Sequence, residues 1–201
     1  VGELSTIIQL WRTAYTKPFL LAEFGYVDPP DGDPLGIRLH LGLWTSTMNG
    51  AMGTGMFWWW DSYIHPRQLY PHFYGIAQFV AHEDFSNHKL GLTSATATGH
   101  TVVHGMQTLD YALLWIVNRD YNDTYYRQQG DMDATEAIFP IIEDAELTIS
   151  WLLGGEYQLE WWDTVTGEII RRDTEVSGGT MIVEIPVFNT DIALKIKRLD
   201  G

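Results

Sequence analysis

The 201-residue sequence contains no cysteine. Disulfide bonds, thiolate metal sites and cysteine nucleophiles are therefore excluded. The sequence also lacks a glycine-rich phosphate loop, a helical His-Glu-x-x-His pair and the Gly-x-Ser-x-Gly motif of serine hydrolases. Its seven histidines are scattered, and none pair at the spacing of a metal site. The motifs of nucleotide-binding proteins, zinc peptidases and serine esterases are thus all missing.

Positive charge and long apolar runs are also scarce. Lysine and arginine number 12 against 26 acidic residues, which gives a formal net charge of -14. Such a chain repels nucleic-acid phosphates and anionic lipid surfaces, so we predict neither nucleic acid nor membrane as a partner. No apolar run approaches the roughly 20 residues that cross a bilayer. Neutral ligands such as glycans are compatible with this charge.

Three aspartates, Asp28, Asp31 and Asp33, fall in the proline-containing loop after the first predicted strand. Clustered carboxylates suit a calcium ion, but this spacing matches no known ligand loop. We therefore predict a solvated loop, no metal and no cofactor.

Aromatic residues are what the sequence has in abundance, with nine tryptophans and a hydrophobic fraction of 45%. This fraction and length predict one or two folded domains with proper cores. Abundant tryptophan is typical of carbohydrate-active proteins and also of β-sandwich cores. Composition alone leaves both interpretations open.

The first 85 residues show a strand–helix–strand pattern. We predict a helix over 2–15, a strand from Phe19 to Phe24, and a helix from Leu35 to Met48 whose apolar residues share one face. A strand from Gly55 to Asp61 and an amphipathic helix over 69–81 follow. Such a unit is a parallel crossover, and chemistry lies at the carboxyl ends of its strands. His40, on the crossover helix, is interpreted as a packing residue.

From about residue 96 the apolar period changes to two, and glycine-rich turns separate short strands. We predict residues 86–95 as a linker and 96–201 as a small antiparallel β-sandwich, with 119–145 as an irregular acidic loop. Trp161 and Trp162 are adjacent, so one is predicted in the core and the other at the surface or an interface. The strand candidates lie within 101–104, 112–118, 147–151, 157–161, 181–185 and 192–196.

A carboxylate beside indoles suits a sugar. Glu23 ends the first strand and three tryptophans end the second, so Glu23 is placed to attack an anomeric carbon while Trp59 or Trp60 stacks on the ring. Tyr26 lies just past Glu23 and is a candidate to orient it. Asp61 and His65 are candidates to hydrogen-bond sugar hydroxyls. The alternatives are that Glu23 caps the following loop and that Asp61 and His65 are ordinary loop residues.

These motifs resemble a known family. Lys17-Pro18 followed by Glu23 and Gly25, and then a tryptophan-rich strand, resembles strands seven and eight of the retaining (β/α)8 glycoside hydrolases, the clan that includes glycoside hydrolase family 5. His40–Trp44, Gly50–Thr54 and Trp58–Asp61 resemble a bacterial branch of that clan. The resemblance covers about the first 85 residues. It implies that Glu23 is the nucleophile, that a tryptophan floors the subsite beside the scissile bond, and that the location is extracellular or periplasmic.

The same resemblance implies a missing half. A retaining glycosidase needs two carboxyl groups about 5 Å apart, and in this clan the acid/base glutamate follows an asparagine on strand four. No Asn-Glu dipeptide occurs in the sequence. A whole barrel takes about 250 residues. We therefore expect the C-terminal remnant of a barrel followed by a β-sandwich, inactive alone, and associated with a complementary N-terminal barrel chain or with itself. The alternative is a noncatalytic carbohydrate-binding or structural sandwich module.

Overall fold

The computed structural model describes residues 2–15, 17–27, 32–85, 89–129 and 139–199. The fold is mixed, with helices concentrated before residue 81 and antiparallel strands after residue 91. No helix in these ranges is long and apolar enough to cross a membrane.

The N-terminal part is built on two parallel strands joined by a helix. Strand β1 pairs with β2 in parallel, with Glu23 opposite Met56 and Phe24 opposite Phe57. The expected neighbouring parallel strands are thus present. In chain order the elements are α1 (Gly2–Ala14), β1 (Leu21–Phe24), α2 (Ile37–Met48), β2 (Thr54–Phe57), a π-helix (Trp60–Ile64), α3 (His65–Arg67) and α4 (Pro71–Val80).

The expectation that the three tryptophans extend the second strand is wrong, because the strand ends at Phe57. The chain then turns, and the amides of Tyr63 and Ile64 donate to the carbonyl of Trp59 at 2.9 and 3.3 Å. Tyr63 and Ile64 are buried. Their burial against the core curls the chain at Trp59, and this tertiary demand overrides the strand propensity of the tryptophans.

The C-terminal part contains two antiparallel sheets. One has six strands in the order β3-β5-β6-β11-β8-β9, and the other has three in the order β10-β7-β4. Gly91 and Leu92, within the segment predicted as a linker, form β3 and pair with β5. The strands are β3 (Gly91–Leu92), β4 (Thr96–Ala97), β5 (Thr101–Gln107), β6 (Tyr111–Asn118), β7 (Glu146–Ser150), β8 (Gly155–Trp162), β9 (Ile169–Ser177), β10 (Thr180–Glu184) and β11 (Asp191–Arg198).

One short helix lies where the sequence pattern predicts only loop. Helix α5 (Asp123–Gln128) begins at Asn122, whose side chain accepts a hydrogen bond from the Tyr125 amide at 2.8 Å. Asparagine is a strong N-cap because its oxygen satisfies a free amide of the first turn. Residues 130–138 of the predicted loop lie outside the described residues.

Strand β6 is the centre of the molecule, and every one of its residues is buried. Leu113, Trp115 and Val117 contact the helices, whereas Leu114 and Ile116 contact the three-stranded sheet. This alternation explains the uninterrupted apolar run, since both faces of the strand are covered. The six-stranded sheet is therefore a middle layer between helices and the second sheet.

Helix α2 is enclosed in the same way. All its residues except Arg38 are buried. On one side Gly42 accommodates the Phe24 ring, because a Cβ at Gly42 would lie 2.0 Å from that ring. On another side Trp44 stacks on Trp115, with ring centroids 5.9 Å apart. The helix thus joins the β1–β2 sheet to the six-stranded sheet through one core.

A series of buried hydrogen bonds crosses the interface between the helices and the six-stranded sheet. His40 Nε2 lies 2.8 Å from Asp191 Oδ2, and both side chains are fully buried. His40 Nδ1 lies 3.2 Å from His72 Nδ1, and His72 Nε2 lies 2.9 Å from the Leu35 carbonyl. The Trp115 indole also donates to Asp191 at 2.6 Å. His40 is therefore a satisfied packing residue, as interpreted, and it bridges two layers.

The hydrogen-bond partners determine which ring nitrogens of these histidines carry protons. The Leu35 carbonyl only accepts, so we assign the His72 proton to Nε2. Burial, followed by the neighbouring His40, lowers the pKa of His72 to about 4, so His72 is neutral and its Nδ1 accepts from His40. Burial alone would raise the pKa of Asp191, but the adjacent His40 holds it below its usual value. His40 therefore donates to His72 from Nδ1, and its Nε2 lies within hydrogen-bond distance of Asp191, which links α2 to the six-stranded sheet.

We expect the protein to lose stability in mild acid. Burial lowers the pKa of both His72 and His104 to about 4, from an unfolded value of 6.5. Between pH 6.5 and 4 the unfolded chain therefore binds protons that the folded chain does not, and stability falls as pH falls. Asp191, with its lowered pKa, adds a further loss when pH falls through its folded pKa. The slope is about 1.4 kcal/mol per pH unit for each group.

Urea unfolding measured from pH 8 to 4 tests this expectation. The free energy of unfolding should be flat above about pH 7 and fall below about pH 6.5. The His104→Gln variant should show a shallower fall because one of the two titrating histidines is gone. A free energy of unfolding that stays constant down to pH 4 would contradict the assignment of neutral buried histidines.

Candidate active site

Glu23 lies near the carboxyl end of β1 with an exposed side chain. Its partner in register, Met56, is also exposed. The flanking pair, Phe24 and Phe57, points to the other face of the sheet, where the two rings meet edge to face at 5.3 Å. Among the described residues no side chain bonds to the Glu23 carboxylate. Glu23 therefore stands on the face of the β1–β2 sheet that α2 leaves uncovered.

Trp58 follows β2 directly and pairs with the end of β1. Its amide donates to the Phe24 carbonyl at 2.8 Å, which continues the parallel ladder by one bond. Gly25 adopts φ 150°, and a Cβ there would lie 3.1 Å from the Trp58 Cβ. Glycine at position 25 thus allows the Trp58 side chain to pack over the turn that follows Glu23. The indole is more than half exposed.

Trp59 and Trp60, the two tryptophans favoured from sequence, differ in their surroundings. The Trp59 indole nitrogen donates to the Tyr26 carbonyl at 2.9 Å, so its ring lies across the loop after β1. Trp60 begins the π-helix and is exposed. Trp58, which sequence reasoning did not favour, follows the strand directly, and the neighbouring Gly25 was the available signal for its position.

Tyr26 is held by α2 rather than by Glu23 in the described structure. The Arg38 guanidinium lies 4.3 Å above the centre of the Tyr26 ring, a cation–π contact. Burial, and then the nearby Asp123, raise the pKa of the Tyr26 hydroxyl. The phenol is therefore neutral and offers a hydrogen-bond donor at the rim of the site.

Asp61 and His65 lie on the segment after the tryptophans, and both are exposed. Asp61 accepts a hydrogen bond from the Ser62 hydroxyl at 3.2 Å. His65 Nδ1 lies 2.8 Å from the Tyr70 hydroxyl. The contacts described for these two residues are thus local ones, and no described bond joins either of them to Glu23.

Asp33 positions the start of α2. Its two carboxylate oxygens accept from the amides of Ile37 and Arg38 at 2.9 and 2.8 Å, and the Tyr63 hydroxyl donates to it at 2.9 Å. Burial raises the pKa of Asp33, while these donors act to lower it. Asp33 is therefore a structural anchor that ties the π-helix to α2. Asp28 and Asp31 lie outside the described residues.

An ion pair joins α5 to the start of α2. Arg38 pairs with Asp123 on α5 at 2.5 Å, and Asp123 also accepts from Arg127 at 2.8 Å. Sequence reasoning missed both Arg38 and Asp123, because they are far apart in the chain and no local pattern predicts their contact. Within the described ranges no group of three or more histidine, aspartate or glutamate side chains is arranged to hold a metal.

A cleft of about 550 Å³ lies elsewhere, at the amino ends of β1 and β2. Pro18 and Phe19, before β1, line it together with Ala51 and Met52, before β2. Its ionisable lining groups are Arg12, Tyr15 and Lys17, so it offers no carboxylate. The cleft is therefore at the opposite end of the strands from Glu23.

Comparisons with known proteins give structural neighbours only. No protein-family model matches the chain, and no curated protein matches it. A glycoside hydrolase family 5 structure from Bacteroides vulgatus has 14% sequence identity and a TM-score of 0.49, over 98% of this chain and 46% of that one. A family 30 endoxylanase from Clostridium papyrosolvens has 14% identity and a TM-score of 0.46, over 94% and 44%. The chain spans less than half the length of either structure.

The two carboxylates near the site are expected to differ in their effect on stability. Glu23→Gln should change the free energy of unfolding by less than about 0.5 kcal/mol, because Glu23 is exposed and has no described partner. Asp33→Asn should cost about 1–3 kcal/mol, because its amide nitrogen cannot accept the bonds now made to the second carboxylate oxygen. Urea unfolding of both variants measures this. A loss above about 1 kcal/mol in Glu23→Gln would mean that Glu23 is a structural residue.

Proposed function

We propose that this chain is the C-terminal part of a retaining β-glycoside hydrolase that acts on poly- or oligosaccharides. The observation that carries the proposal is the exposed Glu23 carboxylate at the carboxyl end of β1, with Trp58 packed over the adjacent Gly25. The motif around Glu23 resembles the nucleophile strand of the (β/α)8 clan. In barrels of this type the carboxyl ends of the strands carry the chemistry.

In this mechanism Glu23 is the nucleophile. Its ionised carboxylate attacks the anomeric carbon and forms a glycosyl–enzyme ester, while a second carboxylic acid protonates the departing oxygen. The second group then removes a proton from water, which attacks the ester and releases the sugar. Since the second carboxyl must lie about 5 Å from the first, we assign it to the part of the barrel that this chain does not contain.

The aromatic groups around Glu23 are assigned to substrate binding. Trp58 and Trp60 offer exposed indole faces on which the C–H face of a pyranose stacks. Trp59 holds the Tyr26 loop, and Tyr26 offers its hydroxyl to a sugar. Asp61 and His65 lie on the following exposed segment and remain candidates for hydrogen bonds to sugar hydroxyls.

The uncovered face of the β1–β2 sheet supports the proposal that a complementary barrel segment binds there. Two strands cannot close a barrel, and each keeps one edge unpaired among the described residues. Apolar side chains are exposed on α1, at Ile7 and Leu10, and beside the strands, at Leu20 and Met56. Unpaired edges and exposed apolar patches favour association. The isolated chain should therefore self-associate or bind the complementary segment.

Turnover of an aryl β-glycoside tests the proposed function. The isolated chain should show none, because general acid catalysis contributes about 10²- to 10⁴-fold and its donor is missing. The chain joined to the complementary barrel segment should hydrolyse the glycoside, and Glu23→Gln should abolish that activity. Glu175→Gln, an exposed glutamate on β9, is the matched control and should leave turnover unchanged. A monomer of the isolated chain that hydrolyses the glycoside would overturn the proposal.

A further inference from the structure

The end of the sandwich carries one tryptophan in an unusual conformation. Trp151, between β7 and β8, has φ 67° and is 72% exposed. Positive φ is uncommon for residues with a side chain, is a true outlier for a bulky one, and is open to glycine without strain. Because most of the indole is exposed, burial of its apolar surface contributes little to stability. The fold therefore holds a strained residue that displays its indole to solvent.

The backbone around Trp151 is fixed from three sides. The Ser150 carbonyl accepts hydrogen bonds from the side-chain amide of Gln107 at 2.9 Å and from the Ser94 hydroxyl at 3.2 Å. On the other side of Trp151, the Leu152 amide donates to Gly179 at 3.0 Å, and the Leu153 amide donates to Leu109 at 2.7 Å. Strained conformations persist only when the surroundings determine them in this way, and they concentrate at binding and catalytic sites.

Three turns therefore meet at this end of the sandwich, and they form a small mixed surface. Leu109 is 56% exposed and Leu153 is 42% exposed, and the Leu153–Leu109 bond brings their turns together. Hydroxyls lie beside Trp151 in the fold: the Thr180 hydroxyl donates to the Ser150 hydroxyl at 3.3 Å, and the Ser94 hydroxyl donates to the carbonyl of Ser150, the residue before Trp151. We call Trp151, Leu109, Leu153 and these hydroxyls the Trp151 platform.

The platform lies far from Glu23. The Leu109 turn precedes β6, whereas α5, whose Asp123 bonds to Arg38 near the candidate active site, follows β6. The seven residue steps of β6 span about 23 Å at about 3.3 Å each. A sugar ring on the platform therefore does not touch the Glu23 carboxylate, and its binding is separable from turnover.

We propose that the Trp151 platform is a second binding site, for a neutral polysaccharide. The indole takes the apolar face of a sugar ring, and the hydroxyls of Ser94, Ser150 and Thr180 exchange hydrogen bonds with sugar hydroxyls. The exposed carboxylate of Asp110, beside Leu109, and the net charge of -14 disfavour an acidic polysaccharide. A rigid platform with one displayed indole binds without ordering a loop, which lowers the entropic cost.

The two adjacent tryptophans of β8 do not offer this surface. Trp161 is fully buried, and its indole donates to Asp173 at 3.0 Å. Trp162 packs edge to face against Phe79 at 5.7 Å and under the Lys195 ammonium at 4.7 Å. Trp151 is thus the sandwich tryptophan with a free face.

Trp151→Gly provides a sharp test, because glycine removes the indole and relieves the strain at positive φ. The full 201-residue chain is run in native gels that contain hydroxyethyl cellulose, arabinoxylan or galactomannan. The wild-type chain should be retarded by at least one of them, and Trp151→Gly should lose at least about tenfold in affinity while its melting temperature is unchanged or higher. Trp151→Phe should keep part of the retardation.

Three controls separate the explanations. Val187→Ala, an exposed apolar residue in another loop, should bind as the wild type does. In a Trp60→Ala background, Trp151→Gly should still lower the affinity at least about tenfold, and complete loss of retardation in Trp60→Ala alone would assign the binding to the Glu23 site instead. A wild-type chain that none of the three polysaccharides retards, or equal retardation of Trp151→Gly and the wild type, would overturn the proposal. So would sedimentation showing that Trp151→Gly only dissociates an oligomer, which would make the platform a protein interface.

Discussion

The enclosure of α2 is the constraint on which the rest of the structure depends. The helix packs against Phe24 of the β1–β2 sheet and against Trp115 of the six-stranded sheet, so its apolar residues face both ways. Each large apolar side chain buried there contributes about 1.5–3 kcal/mol. The His40–Asp191 pair lies inside this contact. Removing one partner of this buried pair leaves the other without its hydrogen bond, which typically costs about 1–3 kcal/mol, so the pair also fixes how the layers meet.

The same enclosure positions the candidate active site. Because α2 is held by the six-stranded sheet, its first turn is fixed, and Asp33 binds that turn through two amides. Tyr63 then donates to Asp33 and draws the segment after the tryptophans towards the core. Arg38, on the first turn of α2, contacts the Tyr26 ring and so helps to fix its position. The antiparallel sheets thus act on the Glu23 end of the β1–β2 sheet through the helix, without contributing a residue to the proposed chemistry.

The sequence was sufficient for features set by local periodicity. The parallel strands, the crossover helix and most strands of the antiparallel sheets follow from apolar spacing and glycine turns. The end of β2 could not be predicted, because burial of Tyr63 and Ile64 decides where the chain turns. The contact of Arg38 with Asp123 joins distant parts of the chain, and the exposure of Trp151 depends on three separate turns. The roles assigned to Glu23, Tyr26, Trp59, Trp60, Asp61 and His65 stay predictions.

Hydrogen exchange measured by mass spectrometry tests most directly whether α2 and the six-stranded sheet unfold as one cooperative unit. Peptides that cover 37–48 on α2 and 111–118 on β6 are compared at increasing, sub-denaturing urea concentrations. If the two share one core, their amides should open in the same event, with the same free energy and the same dependence on urea. If the amides of α2 exchange through an opening whose free energy is several kcal/mol lower than that of β6, the account is contradicted.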